Sequence, residues 1–162
     1  MNEKKKVYVE TTVVSDMTAR PSLNVKNLAR QIVTKDWWEF AREKCDFVVS
    51  QLVDIEAARG DEDAARRRLD LLKDIQHLEY GVEALNLAKK FLEVAAIPSN
   101  SFDDATHVAI AAINKIEFLA TWNCTHINNP QKLPIVMRVC EENGYTCPII
   151  GTPEQLKEVS YE

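Results

Sequence analysis

Short β-branched and aromatic runs alternate with longer stretches of helical spacing along the whole chain. Val7-Tyr8-Val9 has the composition of a first strand, and Asp46 to Ser50 reads as a second, buried one. After a turn at Pro21-Ser22, the apolar positions Leu28, Ile32, Trp37, Phe40 and Ala41 recur with the helical period over about 23–44, with Asp36 able to restart a second helix. Leu52 to Arg59 predicts a short helix stopped by Gly60, and the acids Asp61-Glu62-Asp63 open the next one, which runs to about Ile75. His77 to Tyr80 is a weak strand candidate, and Val82 to Ala95 returns to helical spacing before Pro98 breaks it.

Ser101, with Asp104 three positions on, approximates a capping box. The helix it opens is rich in Ala, Val and Ile through Ile116, as a helix buried on most sides would be. Phe118 to Trp122 predicts a strand, Leu133 to Glu142 a helix halted at Asn143-Gly144, and Cys147 to Ile150 a last short strand. Strand and helix alternate throughout, so the expected fold class is α/β, with a parallel sheet of about four to five short strands and helices on both faces. No repeat, low-complexity tract or long linker divides the chain, and residues 1–162 are expected to form one domain.

Composition narrows the function classes. Four scattered cysteines, Cys45, Cys124, Cys140 and Cys147, form no C-x-x-C pair, and the closest two, Cys140 and Cys147, have no histidine near them at ligand spacing, which argues for reduced thiols and against zinc. The basic start lacks the apolar core of a signal peptide, and no apolar run approaches the roughly 20 residues of a membrane span. The expectation is a soluble, cytoplasmic protein. A formal charge of −5 argues against a broad electrostatic nucleic-acid binder. It is compatible with a cluster of acids that a divalent ion would neutralise. The basic runs Lys4–Lys6 and Arg66–Arg68 read as solvated surface.

Ligands of open parallel sheets gather beyond the carboxyl ends of the strands. Glu10 ends the first strand, Asn123 follows Phe118–Trp122, Glu56 lies in the short helix after Asp46–Ser50, and Asp103 and Asp104 open the helix before Phe118. Converging carboxylates repel, and Mg²⁺ or Mn²⁺ with oxygen ligands resolves the repulsion. Such an ion can activate water and stabilise a leaving oxygen in phosphodiester cleavage. Each residue also has a plainer role. Glu56 can be a solvated helix residue, Asp104 the partner of a Ser101 cap, Asp103 a helix-dipole charge and Asn123 a turn former. Glu10 fits the plain reading worst, because a carboxylate closing a Val-Tyr-Val strand is an awkward core residue. Of Trp37 and Trp38, one is expected inside and the other at a partner surface. Trp122 can stack a base or serve as core.

Four blocks, Val-Tyr-Val-Glu-Thr-Thr at 7–12, Ser-Gln-Leu-Val-Asp-Ile-Glu at 50–56, Asp-Asp-Ala-Thr-His-Val-Ala at 103–109 and Thr-Trp-Asn-Cys-Thr-His-Ile at 121–127, resemble PIN-domain proteins. Their order resembles the VapC-type toxin branch and covers essentially the whole chain. The resemblance implies a metal-dependent endoribonuclease that hydrolyses RNA with Mg²⁺ or Mn²⁺. Glu10, Glu56 and Asp104 match the family's first three acids, and Asn123 stands where many members carry a fourth. It further implies a cognate antitoxin and a homodimer. Thr11, Thr12, Asp103, His107 and His126 are candidates for substrate contact or support of the ligands. His107, three residues after Asp104 on one helix face, reads equally as a packed, hydrogen-bonded histidine. Glu in place of Asp at position 10, and Asn in place of an acid at 123, motivate the alternative of a catalytically weakened or inactive scaffold that acts by binding protein or RNA.

Overall fold

A computed structural model describes residues 3–162; Met1 and Asn2, part of the basic start, lie outside the described residues. Five parallel strands form one sheet: β1 (Lys6–Val9), β2 (Asp46–Ser50), β3 (Gln76–Leu78), β4 (Phe118–Ala120) and β5 (Ile149–Gly151), in the order β3-β2-β1-β4-β5. Among the described residues the eight helices are α1 (Thr11–Thr18), α2 (Val25–Ala41), α3 (Gln51–Ala57), α4 (Glu62–Leu72), α5 (Val82–Glu93), α6 (Phe102–Ile113), α7 (Leu133–Glu142) and α8 (Pro153–Lys157).

The chain winds outward from β1 through β2 to β3, then returns to β4 on the other side of β1. With the right-handed crossovers that parallel strands adopt, the two directions of winding put helices on opposite faces. The packing agrees: α1 meets α2, α3 and α4, whereas α5 meets α6 and α7. The order reverses between β1 and β4, which opens a crevice beyond their carboxyl ends. Val7, Val9, Val48, Val49 and Leu119 are fully buried from both faces of the sheet, and α6 is buried continuously from Ala105 to Ala112.

Several expectations need correction. Thr11–Thr18 is a helix that the β-branched run Thr-Thr-Val-Val conceals. The α2 helix continues through Asp36 without a restart. Ser101 occupies the N-cap position of α6 but makes no capping hydrogen bond, because its hydroxyl turns to His126 Nδ1 at 3.1 Å. Trp37 and Trp38 are both buried, stacked on or edged against Phe47, so neither forms a partner surface. The Arg66–Arg68 run is more than solvated surface: Arg67 donates to the Thr18 carbonyl and Arg68 to that of Ala57, pinning α4 to its neighbours. Among the described residues, no helix is long and apolar enough to cross a membrane.

Candidate metal centre at the sheet crevice

Glu10 is the first residue beyond β1. Its N–H continues the ladder to the Ala120 carbonyl at 3.0 Å, which fixes its backbone against the end of β4. Side chains alternate along a strand, so Glu10 shares a face with Tyr8 and is carried inward rather than to solvent. The residue is only 3% exposed. Its Oε2 accepts from the Thr12 N–H (3.2 Å), from the Thr12 hydroxyl and from Thr121 Oγ1 (2.8 Å). The same carboxylate caps α1, so one side chain starts a helix and lines the crevice. Burial pushes its pKa up, against the His107 charge and the threonine hydrogen bonds, which lower it.

Glu56 arrives from the opposite direction. Ser50 at the end of β2 caps α3 by accepting from the Val53 N–H at 3.4 Å, and Glu56 follows in the second turn. Its Oε1 accepts from Thr11 Oγ1 and from His107 Nε2, each at 2.6 Å. Burial works to raise its pKa, but the His107 hydrogen bond and charge, Thr11 and Arg59 outweigh it and hold the carboxyl below its ordinary value.

Potential ligand atoms of Glu10, Glu56 and His107 all lie within 4.8 Å of one another. Neither Oε1 of Glu10 nor Oε2 of Glu56 takes a hydrogen bond from the described residues, while the other oxygen of each is held by donors. No buried side-chain oxygen or nitrogen among the described residues lacks a partner, so these two free oxygens reach the crevice surface. Two carboxylates from different elements, each with one oxygen fixed and one open, are a donor set that suits a hard divalent cation.

Asp104 lies in the first turn of α6 at the same edge, close enough for its charge to act on His107. It stands outside the compact group: Oδ2 pairs with His126 Nδ1 at 2.9 Å, and Ser101 shares that nitrogen. Asn123 Oδ1 accepts the His126 N–H at 2.9 Å, and the Asn123 N–H donates to Thr121 Oγ1. Asp103 is half exposed and 4.0 Å from Arg59. Thr11 and Thr12 each hold one of the two glutamates, and His126 ties Asp104 to the Asn123 turn. Trp122 is partly buried. Its indole N–H donates to Thr34 at 2.8 Å, and the Arg30 guanidinium sits 5.0 Å from the ring centre, which occupies a surface a base would need.

Sequence reasoning passed over Thr121, Tyr8 and Ser50. Thr121 carried a weak signal as the first polar residue after a Phe-Leu-Ala strand. Tyr8 Oη bonds Ser50 Oγ at 2.7 Å and His107 Nδ1 at 2.6 Å, partners 42 and 99 residues away that no local pattern reveals.

No protein-family model matches the sequence, and no curated protein is significantly similar to it. Solved structures do match. VapBC2 from Rickettsia felis, solved bound to a DNA fragment from their promoter, superposes with a TM-score of 0.58 at 10% identity, covering 91% of this chain and 98% of that one. VapC20 of Mycobacterium tuberculosis, described as a sarcin-ricin-loop-cleaving toxin, does so with a TM-score of 0.53 at 16% identity, covering 86% and 96%. At such identities the likeness is one of fold. With five parallel strands and eight helices among the described residues, and a crevice at the β1–β4 reversal, the chain has a VapC-like PIN-domain fold.

Proposed function

We propose that this protein is a metal-dependent endoribonuclease of the VapC toxin type, with Mg²⁺ or Mn²⁺ held between Glu10 and Glu56. The observation that carries the proposal is the pairing of two inward-facing glutamates, each with one open oxygen, at the crevice where the sheet order reverses. Asp104 completes the acidic edge from α6, either as a ligand through its free oxygen or through a bridging water. Mg²⁺ commonly uses few carboxylates and keeps several waters, so a sparse protein ligand set is sufficient.

When bound, the ion supplies positive charge that polarises the phosphate and eases deprotonation of water. The chain's own residues do the rest. Thr12 and Thr121 hold Glu10, Thr11 holds Glu56, and the His126–Asp104 pair sets the rim on which an RNA strand lies. Fixed oxygens need no rearrangement as charge develops, which is where most catalytic benefit of such sites originates. A cognate antitoxin covering this acidic rim, for which the fold shared with VapBC2 is the support, and a homodimer in solution complete the reading. A short reading frame beside this gene and a dimer mass by light scattering are the corresponding checks.

Incubation of the protein with a mixed RNA pool, with and without Mn²⁺, tests the activity. The expected result is ion-dependent cleavage at discrete sites that Glu56→Gln and Asp104→Asn abolish while the fold survives. Undiminished cleavage by both variants would exclude the site.

A second reading has its own support. Asn123 is neutral and spends its oxygen on the His126 N–H, and Asp104 is committed to His126. Glu10 also extends one methylene beyond the usual Asp, and a shift of ~1 Å can cost about a hundredfold in rate. These features suit a scaffold that binds protein or RNA without cutting. Calorimetry with Mn²⁺ separates the two, since a saturable site favours the enzyme and silence the scaffold.

A further inference from the structure

His107 is the third member of the compact group, and proximity alone would make it a ligand of the same ion. The surrounding hydrogen bonds assign it another role. Both ring nitrogens are engaged, Nε2 with Glu56 Oε1 and Nδ1 with Tyr8 Oη, each at 2.6 Å, and the ring is fully buried. An ionised carboxylate only accepts, so the hydrogen in the first of these bonds belongs to Nε2. A ring nitrogen that carries hydrogen has no lone pair to give a metal.

The far side of the ring explains why this arrangement holds. Tyr8 lies on β1 with no exposure, and burial keeps its phenol protonated. That hydroxyl also bonds Ser50 Oγ at 2.7 Å, and Ser50 in turn caps α3, the helix that carries Glu56. The chain Ser50–Tyr8–His107–Glu56–Thr11 therefore joins β2, β1, α6, α3 and α1 through consecutive side-chain hydrogen bonds. Every geometric freedom of the imidazole is used within it. Swinging Nε2 away to take an ion would break the bond to Glu56 and strand a buried polar ring.

We propose that His107 is a positioning residue and not an ion ligand: its Nε2–H fixes Oε1 of Glu56, leaving Oε2 as the oxygen available to the ion. The inference rests on the ion-binding reading of Glu10 and Glu56. Long-range ¹H–¹⁵N spectra of protein labelled at histidine, recorded without and with saturating Mg²⁺, read the state of Nε2 directly. Calorimetric Mn²⁺ titrations of His107→Gln and His107→Ala, with circular dichroism to confirm folding, give the companion measurement.

The expected result is an Nε2 that stays protonated in both states. His107→Gln, whose amide can still donate, should bind Mn²⁺ within about threefold of wild type, and His107→Ala about 10–100-fold more weakly, the usual cost of losing the partner of a ligand. Loss of the Nε2 proton on adding Mg²⁺, or wild-type affinity in His107→Ala, would overturn the positioning role and leave the ion site intact. Should His107→Ala fail to fold, the wild-type spectra decide. A wild-type protein that binds neither ion brings down the ion site itself, and this role with it.

Discussion

Thr12 shows how much of the crevice hangs on single hydroxyls. It donates to Glu10 Oε2 and accepts the Trp122 N–H at 2.9 Å, bridging the ends of β1 and β4. Thr12→Val keeps the shape and removes both bonds, which leaves a buried carboxylate less solvated and a backbone donor unpaired. We expect a loss of about 1–3 kcal/mol in chemical denaturation and weaker Mn²⁺ binding; unchanged stability and affinity would show that the bridge is dispensable. At this scale the sequence was legible where chemistry is local. Glu10 stood out because a carboxylate at the end of an apolar strand is anomalous, and Thr11 and Thr12 because they adjoin it. What it could not show was orientation within α6. Asp104 and His107 are three residues apart on one helix, and only packing against β1 and α3 settles that His107 meets Glu56 while Asp104 meets His126.

Helices and strands followed their hydrophobic periods except where tertiary contacts outvoted local preference. The Thr-Thr-Val-Val start of α1 has strand propensity, yet Glu10 caps it as a helix and Val13 and Val14 bury on its inner face. Strand β3, a weak candidate by sequence, is anchored by a polar clamp: His77 bonds Asp54 through Nδ1 and the Leu72 carbonyl through Nε2, both at 2.7 Å. Two acceptors require both nitrogens to donate, so the imidazolium is the form the fold prefers. Burial opposes that charge, but the Leu72 carbonyl and Asp54 carboxylate outweigh it and raise the His77 pKa. A folded-state pKa above the unfolded one gives stabilisation that is complete below the ordinary histidine value and fades as pH rises through the raised one. The stability gap between wild type and His77→Gln should therefore be widest near about pH 6 and close toward about pH 9. A gap independent of pH in denaturant titrations would contradict the charged clamp.

For the molecule as a whole, alternation of strand and helix was enough to anticipate the parallel sheet, because each period shift marks a new element. Strand order was not readable, since it depends on which face each crossover covers. That order matters most, for it places the reversal, and hence the crevice, between β1 and β4. Away from the crevice, stability rests on a dense core near α2 and β2. Trp37 is fully buried, stacks on Phe47 at 5.4 Å and donates to Tyr161 Oη at 3.2 Å, linking the helix to the C-terminal segment. Trp37→Ala should cost about 3–5 kcal/mol in a denaturant midpoint, and an effect below about 1 kcal/mol would mean the core refills the space.

The formal charge of −5 fits the same whole-molecule view, since an acidic rim without its ion adds repulsion that a divalent cation would relieve. Whether such an ion sits there is a matter of direct sight. Crystals soaked in Mn²⁺ and measured for anomalous scattering should show one strong peak in contact with Glu10 Oε1 and Glu56 Oε2. A map with no peak between those two carboxylates, or with the pair turned apart, would contradict the account.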